Sequence, residues 1–179
     1  IKASCSGCED VFFSVKVVNP ADSTETASSG YINLCSSPIV KIKNGETAEV
    51  RISLGQDASA DSVQWSAEGR VSVKAVGTEC VITAPKAGSG AAQSTVTASY
   101  PGAYPVTFSV FTYDSESELN DFNLRTIYSY STSHSVYIGR TVNLKLETSG
   151  VNSASSITWN VTSGSDCVSV STVDSNKTA

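Results

Sequence analysis

Apolar and polar residues alternate along most of the chain, and this period of two predicts half-buried β-strands. Successive side chains of a strand point to opposite faces, so each segment presents one apolar row and one polar row. Clear examples are segments 50–54, 106–110 and 142–146, and turn-forming pairs such as Asn44-Gly45 separate the rows. No segment keeps helical spacing over several turns, and only Leu119 and Phe122 hint at a single turn. We therefore expect an all-β protein.

The pattern repeats with a period close to 94 residues. Segments 1–15 (IKASCSGCEDVFFSV) and 96–110 (VTASYPGAYPVTFSV) align without a gap at an offset of 95 and share seven identical positions. Independently, Trp65 and Trp159 lie 94 residues apart, each 20 residues after a glycine. Two separate matches with almost the same offset indicate an array of similar units.

The repeat divides the chain into one complete unit, two partial units and two linkers. The predicted boundaries are a C-terminal hairpin of a preceding unit at 1–18, a linker at 19–37, a complete domain at 38–114, an acidic linker at 115–126 and the N-terminal part of a further unit at 127–179. Six or seven short strands in the complete unit predict a small antiparallel sandwich. Trp65 and Trp159 are expected at equivalent core positions.

The two partial units raise the question of what completes them. Residues 127–179 carry the front strands of a sandwich, and residues 1–18 carry an apolar row with no sheet to join. We expect further sequence in the native protein to complete each end. The alternative is that hairpin 1–18 adds to the open unit of a neighbouring molecule by strand addition.

The order of the core and turn residues resembles a known family. The segments Val63-Gln64-Trp65-Ser66, Val71-Ser72-Val73 and 82–88 (ITAPKAG) are similar to the bacterial immunoglobulin-like domain of group 2, although residues 89–94 lengthen the loop after the Ala-Gly turn. The resemblance implies tandem Greek-key β-sandwiches of the immunoglobulin-like type. Members of that family occur in extracellular bacterial proteins, including adhesins, and in some phage virion proteins. It implies spacing and display, with no known catalysis.

The cysteines are the first candidates for chemistry. The chain has five, and Cys5 and Cys8 form a CxxC motif in a predicted hairpin connection. No second pair supplies the four ligands of a structural zinc site. No cysteine recurs at an equivalent position of the repeat. A local Cys5–Cys8 disulfide in an oxidising compartment is the preferred interpretation, and free thiols are the alternative.

The remaining polar groups offer little chemistry. The linker acids Asp114, Glu116, Glu118 and Asp121 could bind calcium, but they lack EF-hand spacing, and a solvated linker is favoured. His134 is the only histidine, so few catalytic arrangements can be assembled. We expect no catalytic residues, no metal and no cofactor, and hence no enzyme.

The charge balance narrows the partners. The net charge is −5 and only 16% of residues are charged, which argues against nucleic acid as a partner. No apolar stretch is long enough for membrane insertion. The expected partners are neighbouring immunoglobulin-like units and an unidentified protein or carbohydrate ligand.

These observations favour a non-catalytic extracellular structural or adhesive module, a stalk or binding segment at a bacterial cell surface. The alternatives are a structural protein of an assembled particle, such as a phage virion or filament, and an accessory domain of a secreted enzyme.

Overall fold

The computed structural model describes residues 1–19, 31–55, 58–151 and 157–172. Its strands are β1 (Lys2–Cys5), β2 (Val11–Phe12), β3 (Ser14–Val18), β4 (Ile32–Leu34), β5 (Ile39–Lys43), β6 (Thr47–Leu54), β7 (Gln64–Glu68), β8 (Ser72–Val76), β9 (Glu79–Thr83), β10 (Ala92–Ser99), β11 (Val106–Tyr113), β12 (Thr126–Tyr128), β13 (Ser133–Tyr137), β14 (Glu147–Ser149) and β15 (Ile157–Asn160). Short 3-10 helices occupy Ala60–Ser62 and Glu116–Asp121. The prediction of an all-β protein is confirmed.

The chain forms two compact units. One is continuous and spans Ser29–Leu124, and we call it the continuous unit. The other combines Ile1–Ser28 with Arg125–Ala179, and we call it the split unit. The two ends of the chain therefore contribute to one body.

The continuous unit is a sandwich of two four-stranded sheets, in the orders β4-β6-β9-β8 and β5-β11-β10-β7. The first sheet is antiparallel, whereas β5 runs parallel to β11 at the edge of the second. Consecutive strands β4 and β5 thus lie in opposite sheets. In an immunoglobulin domain, the first, second, fourth and fifth strands share one sheet, and the third, sixth and seventh share the other. If β5 is left out and the remaining strands are counted from β4, the strands of the continuous unit are divided between the two sheets in the same way. The continuous unit has this immunoglobulin-like topology.

The alternation of apolar and polar residues in the sequence corresponds to an alternation of buried and exposed side chains in the structure. On β6, Val50 and Ile52 are buried and Arg51 between them is exposed. On β10, Val96 and Ala98 are buried on the same inner face. Burying these apolar rows against the opposing sheet provides the main driving force for folding.

The continuous unit extends beyond the predicted domain at both ends. Strand β4 lies inside the predicted linker 19–37, of which residues 20–30 fall outside the described ranges, and pairs with β6. At the other end, the predicted linker 115–126 contains a 3-10 helix whose Leu119 is buried. A three-residue strand is too short to generate a recognisable period. In the helix, Leu119 and Phe122 have the spacing of one helical turn, but the sequence carries no longer helical pattern there.

The split unit is built from both ends of the chain. Its sheets have the orders β15-β1-β2, β13-β3 and β12-β14. One buried cluster joins residues of the first segment to residues of the last: Ala3, Cys5, Phe13, Ile127, Leu144, Leu146, Ile157 and Trp159. The sequence pattern assigns the two segments to different partial units, each awaiting further sequence. The structure pairs them with each other instead.

Within the described ranges, no helix has the length and apolar character needed to cross a bilayer.

Candidate functional site

The most informative site is the junction where residues 1–18, which we call the terminal hairpin, enter the split unit. Strand β1 pairs antiparallel with β15, placing Ala3 opposite Trp159 and Cys5 opposite Ile157. Strand β3 pairs in parallel with β13. The terminal hairpin therefore lies between two strands that belong to the other end of the chain.

The register of this junction reproduces the register of the continuous unit. Ala3 faces Trp159 as Ala98 faces Trp65. In the parallel pair, Ser14 is opposite Ser133, as Ser109 is opposite Ile39.

The hydrogen bonds that end each parallel ladder also recur. Ser14 N donates to Thr132 O at 2.8 Å, and the equivalent Ser109 N donates to Pro38 O at 2.7 Å. At the other end, Ile138 N donates to Val18 O at 3.1 Å. The corresponding Asn44 N donates to Tyr113 O at 2.7 Å. The terminal hairpin thus occupies the position that the β10–β11 hairpin occupies in the continuous unit.

Aromatic packing secures the hairpin from inside. The ring of Phe13 lies 5.4 Å from that of Trp159, centroid to centroid. The equivalent pair in the continuous unit, Phe108 and Trp65, is 6.0 Å apart. Such pairs add about 0.5–1.5 kcal/mol to the burial of their apolar area.

The two tryptophans differ in burial. Trp159 is buried, whereas Trp65 is only partly buried, and its indole Nε1 donates to Gly77 O at 2.9 Å. Both lie on the predicted strands and contact the predicted core. The hydrogen bond to Gly77 satisfies the polar edge of Trp65 next to solvent.

The CxxC motif forms the turn after β1. Cys8 N donates to Cys5 O at 3.1 Å, and Gly7 has φ = 76°. A positive φ at the third residue of a turn is the reason that glycine occurs there. The side chain of Cys5 is buried. Burial, and then a hydrogen bond with Cys5, raises the pKa of Cys8, so the thiol form is favoured. None of the five cysteines is in a disulfide in this structure, and the Cys5–Cys8 disulfide stays a prediction.

Asp114, the first of the four acids considered as calcium ligands, has a structural role. Asp114 Oδ1 accepts hydrogen bonds from Gly88 N at 2.8 Å and Asn44 Nδ2 at 3.0 Å, and Oδ2 accepts one from Gly90 N at 2.7 Å. These bonds, that from Gly88 foremost, lower the pKa of Asp114. Asp114 therefore ties the loop after β9 to the end of β11.

The other candidate groups are not assembled into a site. His134 lies with a ring nitrogen 3.0 Å from Ser131 O and its ring 6.2 Å from that of Phe13. Among the described residues, no group of three or more His, Cys, Asp or Glu side chains could hold a metal ion. The junction of the terminal hairpin with the split unit therefore consists of apolar packing and strand pairing. The sequence indicated this junction through the match between segments 1–15 and 96–110.

Comparison with known proteins extends to fold alone. No family model matches the chain, and no curated protein matches it. Among solved structures, the chain is similar to titin domain M7, with 11% identity over 49% of this chain and 97% of that one, at a TM-score of 0.33. It is also similar to a chain from a complex of titin M10 with an obscurin-like 1 immunoglobulin domain, with 19% identity over 46% of this chain and 90% of that one, at a TM-score of 0.30. Titin domain M3 matches at 9% identity over 63% and 96% of the two chains, at a TM-score of 0.26.

Proposed function

We propose that this chain is a non-catalytic structural segment of an extracellular bacterial surface protein, serving as a stalk or adhesin segment that bears mechanical load. One observation carries the proposal: the parallel pairing of β5 with β11, the strand near the start and the strand near the end of one sandwich. The same parallel pairing recurs between β13 and β3 of the split unit.

Parallel pairing of these strands has a mechanical consequence. The ladder runs from Ser109 opposite Ile39 to Tyr113 opposite Lys43. Tension on the two ends of the continuous unit pulls β5 and β11 in opposite directions along their lengths. All hydrogen bonds of the ladder are then loaded together, whereas unzipping breaks them one at a time. The unit should therefore resist extension better than its equilibrium stability alone implies.

Single-molecule pulling between attachment points at residues 31 and 124, near the two ends of the continuous unit, tests the load-bearing role with a matched pair of variants. Ladder bonds of a parallel pair recur at every second residue. Since Asn44 N donates to Tyr113 O, we expect Val40 N to donate into the ladder and Lys41 N to face away. Val40→Pro removes a donor from the ladder, whereas Lys41→Pro introduces the same ring without that loss. We expect Val40→Pro alone to lower the unfolding force markedly. Equal forces for both variants would count against a load-bearing role.

Location is tested separately. Antibodies against residues 31–124 should label intact cells of the source organism, and external protease should remove the signal. Labelling that requires permeabilised cells contradicts the surface assignment. A signal that sediments with virus particles favours the particle protein instead.

A further inference from the structure

We propose that the split unit is an acceptor for the terminal hairpin of a second copy of this chain, so that molecules can join head to tail by exchanging hairpins. The ligand that we propose for this acceptor is residues 1–18 of another copy of the chain. The proposal does not depend on where the protein resides or on a load-bearing role.

The first step is that the acceptor is built without the terminal hairpin. Strands β13 and β15 and the buried residues Ile127, Leu144 and Leu146 all come from the last segment of the chain. Strand β15 pairs with β1 and strand β13 pairs with β3, so the two acceptor strands flank the hairpin as β7 and β5 flank β10–β11 in the continuous unit. An empty acceptor would expose apolar side chains and two unpaired strand edges.

The second step is that the hairpin carries its own docking information. Its inward residues Ala3, Cys5 and Phe13 are buried, and its backbone pairs with strands on both sides. Strand addition of this kind derives affinity from main-chain hydrogen bonds and register from alternate side chains. Neither source of binding depends on whether donor and acceptor share a chain. Exchange of an identical element between protomers is therefore energetically inexpensive.

The third step is the competition between closure and exchange. The chain's own hairpin is tethered to the acceptor, so its binding is intramolecular and it fills the acceptor in dilute solution. Exchange becomes visible when that hairpin is disabled or when the protein concentration approaches the effective concentration of the tethered hairpin. Head-to-tail exchange between otherwise intact chains produces polymers that lengthen with concentration.

Complementation between two variants of this chain tests the proposal. Phe13→Asp puts a charge at a position that is 3% exposed and disables the hairpin as a donor. Ile157→Asp, also at a buried position that pairs with Cys5, disables the acceptor. Each variant alone should be monomeric at about 100 µM, because the first lacks a good hairpin and the second lacks a good acceptor. Their equimolar mixture should form a one-to-one dimer, since only one good hairpin and one good acceptor are present.

A matched control uses the neighbouring phenylalanine. Phe12 is 43% exposed on the opposite face of the hairpin. The Phe12→Asp chain should fill its own acceptor, and its mixture with Ile157→Asp should stay monomeric. Hydrogen exchange read by mass spectrometry provides a second measurement. Protection of residues 2–5 should appear in the Ile157→Asp chain only after mixing with Phe13→Asp.

The same exchange data identify failure. Persistent protection of residues 92–113 shows that the continuous unit stays folded in each variant. If it does, and the Phe13→Asp and Ile157→Asp mixture neither dimerises nor gains protection at residues 2–5, the proposal is overturned. Self-association of Phe13→Asp alone would also overturn it, because that contact would not use the hairpin.

Discussion

At the scale of single residues, one turn depends on a position that only glycine can occupy without strain. Gly69 ends β7 with φ = +102°, and a Cβ there would lie 2.5 Å from Ser94 Oγ. Ser94 is buried, and its Oγ accepts a hydrogen bond from Arg70 N at 2.9 Å. The sequence indicated a turn at Glu68-Gly69, whereas the reason for glycine lies 25 residues further along the chain.

We expect Gly69→Ala to destabilise the continuous unit by more than the about 1–3 kcal/mol that backbone strain alone costs, because the new methyl group also displaces Ser94. Gly102→Ala is the control, since Gly102 has φ = +77° and a Cβ added there would meet no atom within 4 Å. Urea unfolding measures both free energies. Equal losses would show that the contact with Ser94 does not matter.

Asp114 makes the continuous unit sensitive to acid. Its pKa is lowered from the ordinary value of 3.8, chiefly by the hydrogen bond from Gly88 N. The unfolded chain therefore binds this proton more readily than the folded one. The stabilisation is complete above the unfolded pKa and is lost as the pH falls through the lowered folded pKa. We expect Asp114→Asn to flatten the fall in unfolding free energy below about pH 4. An unchanged slope in urea titrations across this range would contradict the role of Asp114.

At the scale of elements, β11 is buried on both faces near its end. Phe111 and Thr112 are adjacent in sequence and both buried. Adjacent residues of a strand point to opposite faces, so a strand with one solvent-exposed face would bury only one of them. The segment after the strand covers the second face: the ring of Phe122 lies 5.2 Å from that of Phe111. A stretch that reads as an acidic linker therefore packs as part of the sandwich.

Leu119 tests this packing. We expect Leu119→Ala to lower the unfolding free energy of the continuous unit by about 2–5 kcal/mol, the usual range for a buried leucine. Glu116→Ala, at an exposed position of the same 3-10 helix, should have little effect. Chemical denaturation of the two variants supplies the measurement. Similar small effects would mean that the segment is a solvated linker after all.

At the scale of the whole molecule, two units with separate cores share one chain. Phe108 lies in the core of the continuous unit, and Phe13 lies in that of the split unit. Each unit has the buried apolar area of its own that cooperative unfolding requires.

We therefore expect each core substitution to destabilise one unit selectively. Phe108→Ala and Phe13→Ala should each remove about 3–5 kcal/mol. Hydrogen exchange should show loss of protection in residues 92–113 for the first variant and in residues 2–5 and 157–160 for the second. Loss in both sets for either variant would show that the two units unfold together.

Much of this architecture is readable from local order. Alternation along β6, β10 and β11 predicts the strands, because a strand that faces a core on one side must place an apolar side chain at every second position. The recurring spacing around Trp65 and Trp159 predicts that the split unit repeats the continuous one. Both signals lie within continuous segments of the chain, so they can be recognised without knowing which distant segments contact each other.

The tertiary structure alone decided which segments meet. Pairing Ala3 with Trp159 closes a loop of more than 150 residues, and no local pattern records such a closure. Either segment carries apolar rows that any compatible sheet could accept, so the sequence left the partner of residues 1–18 open. Short elements left little or no signal for a related reason. Strand β4 was missed, and only the spacing of Leu119 and Phe122 hinted at the 3-10 helix, because both elements owe their conformation to the surface they cover. Alternation determined what each strand could bury, whereas packing in three dimensions determined what it was buried against.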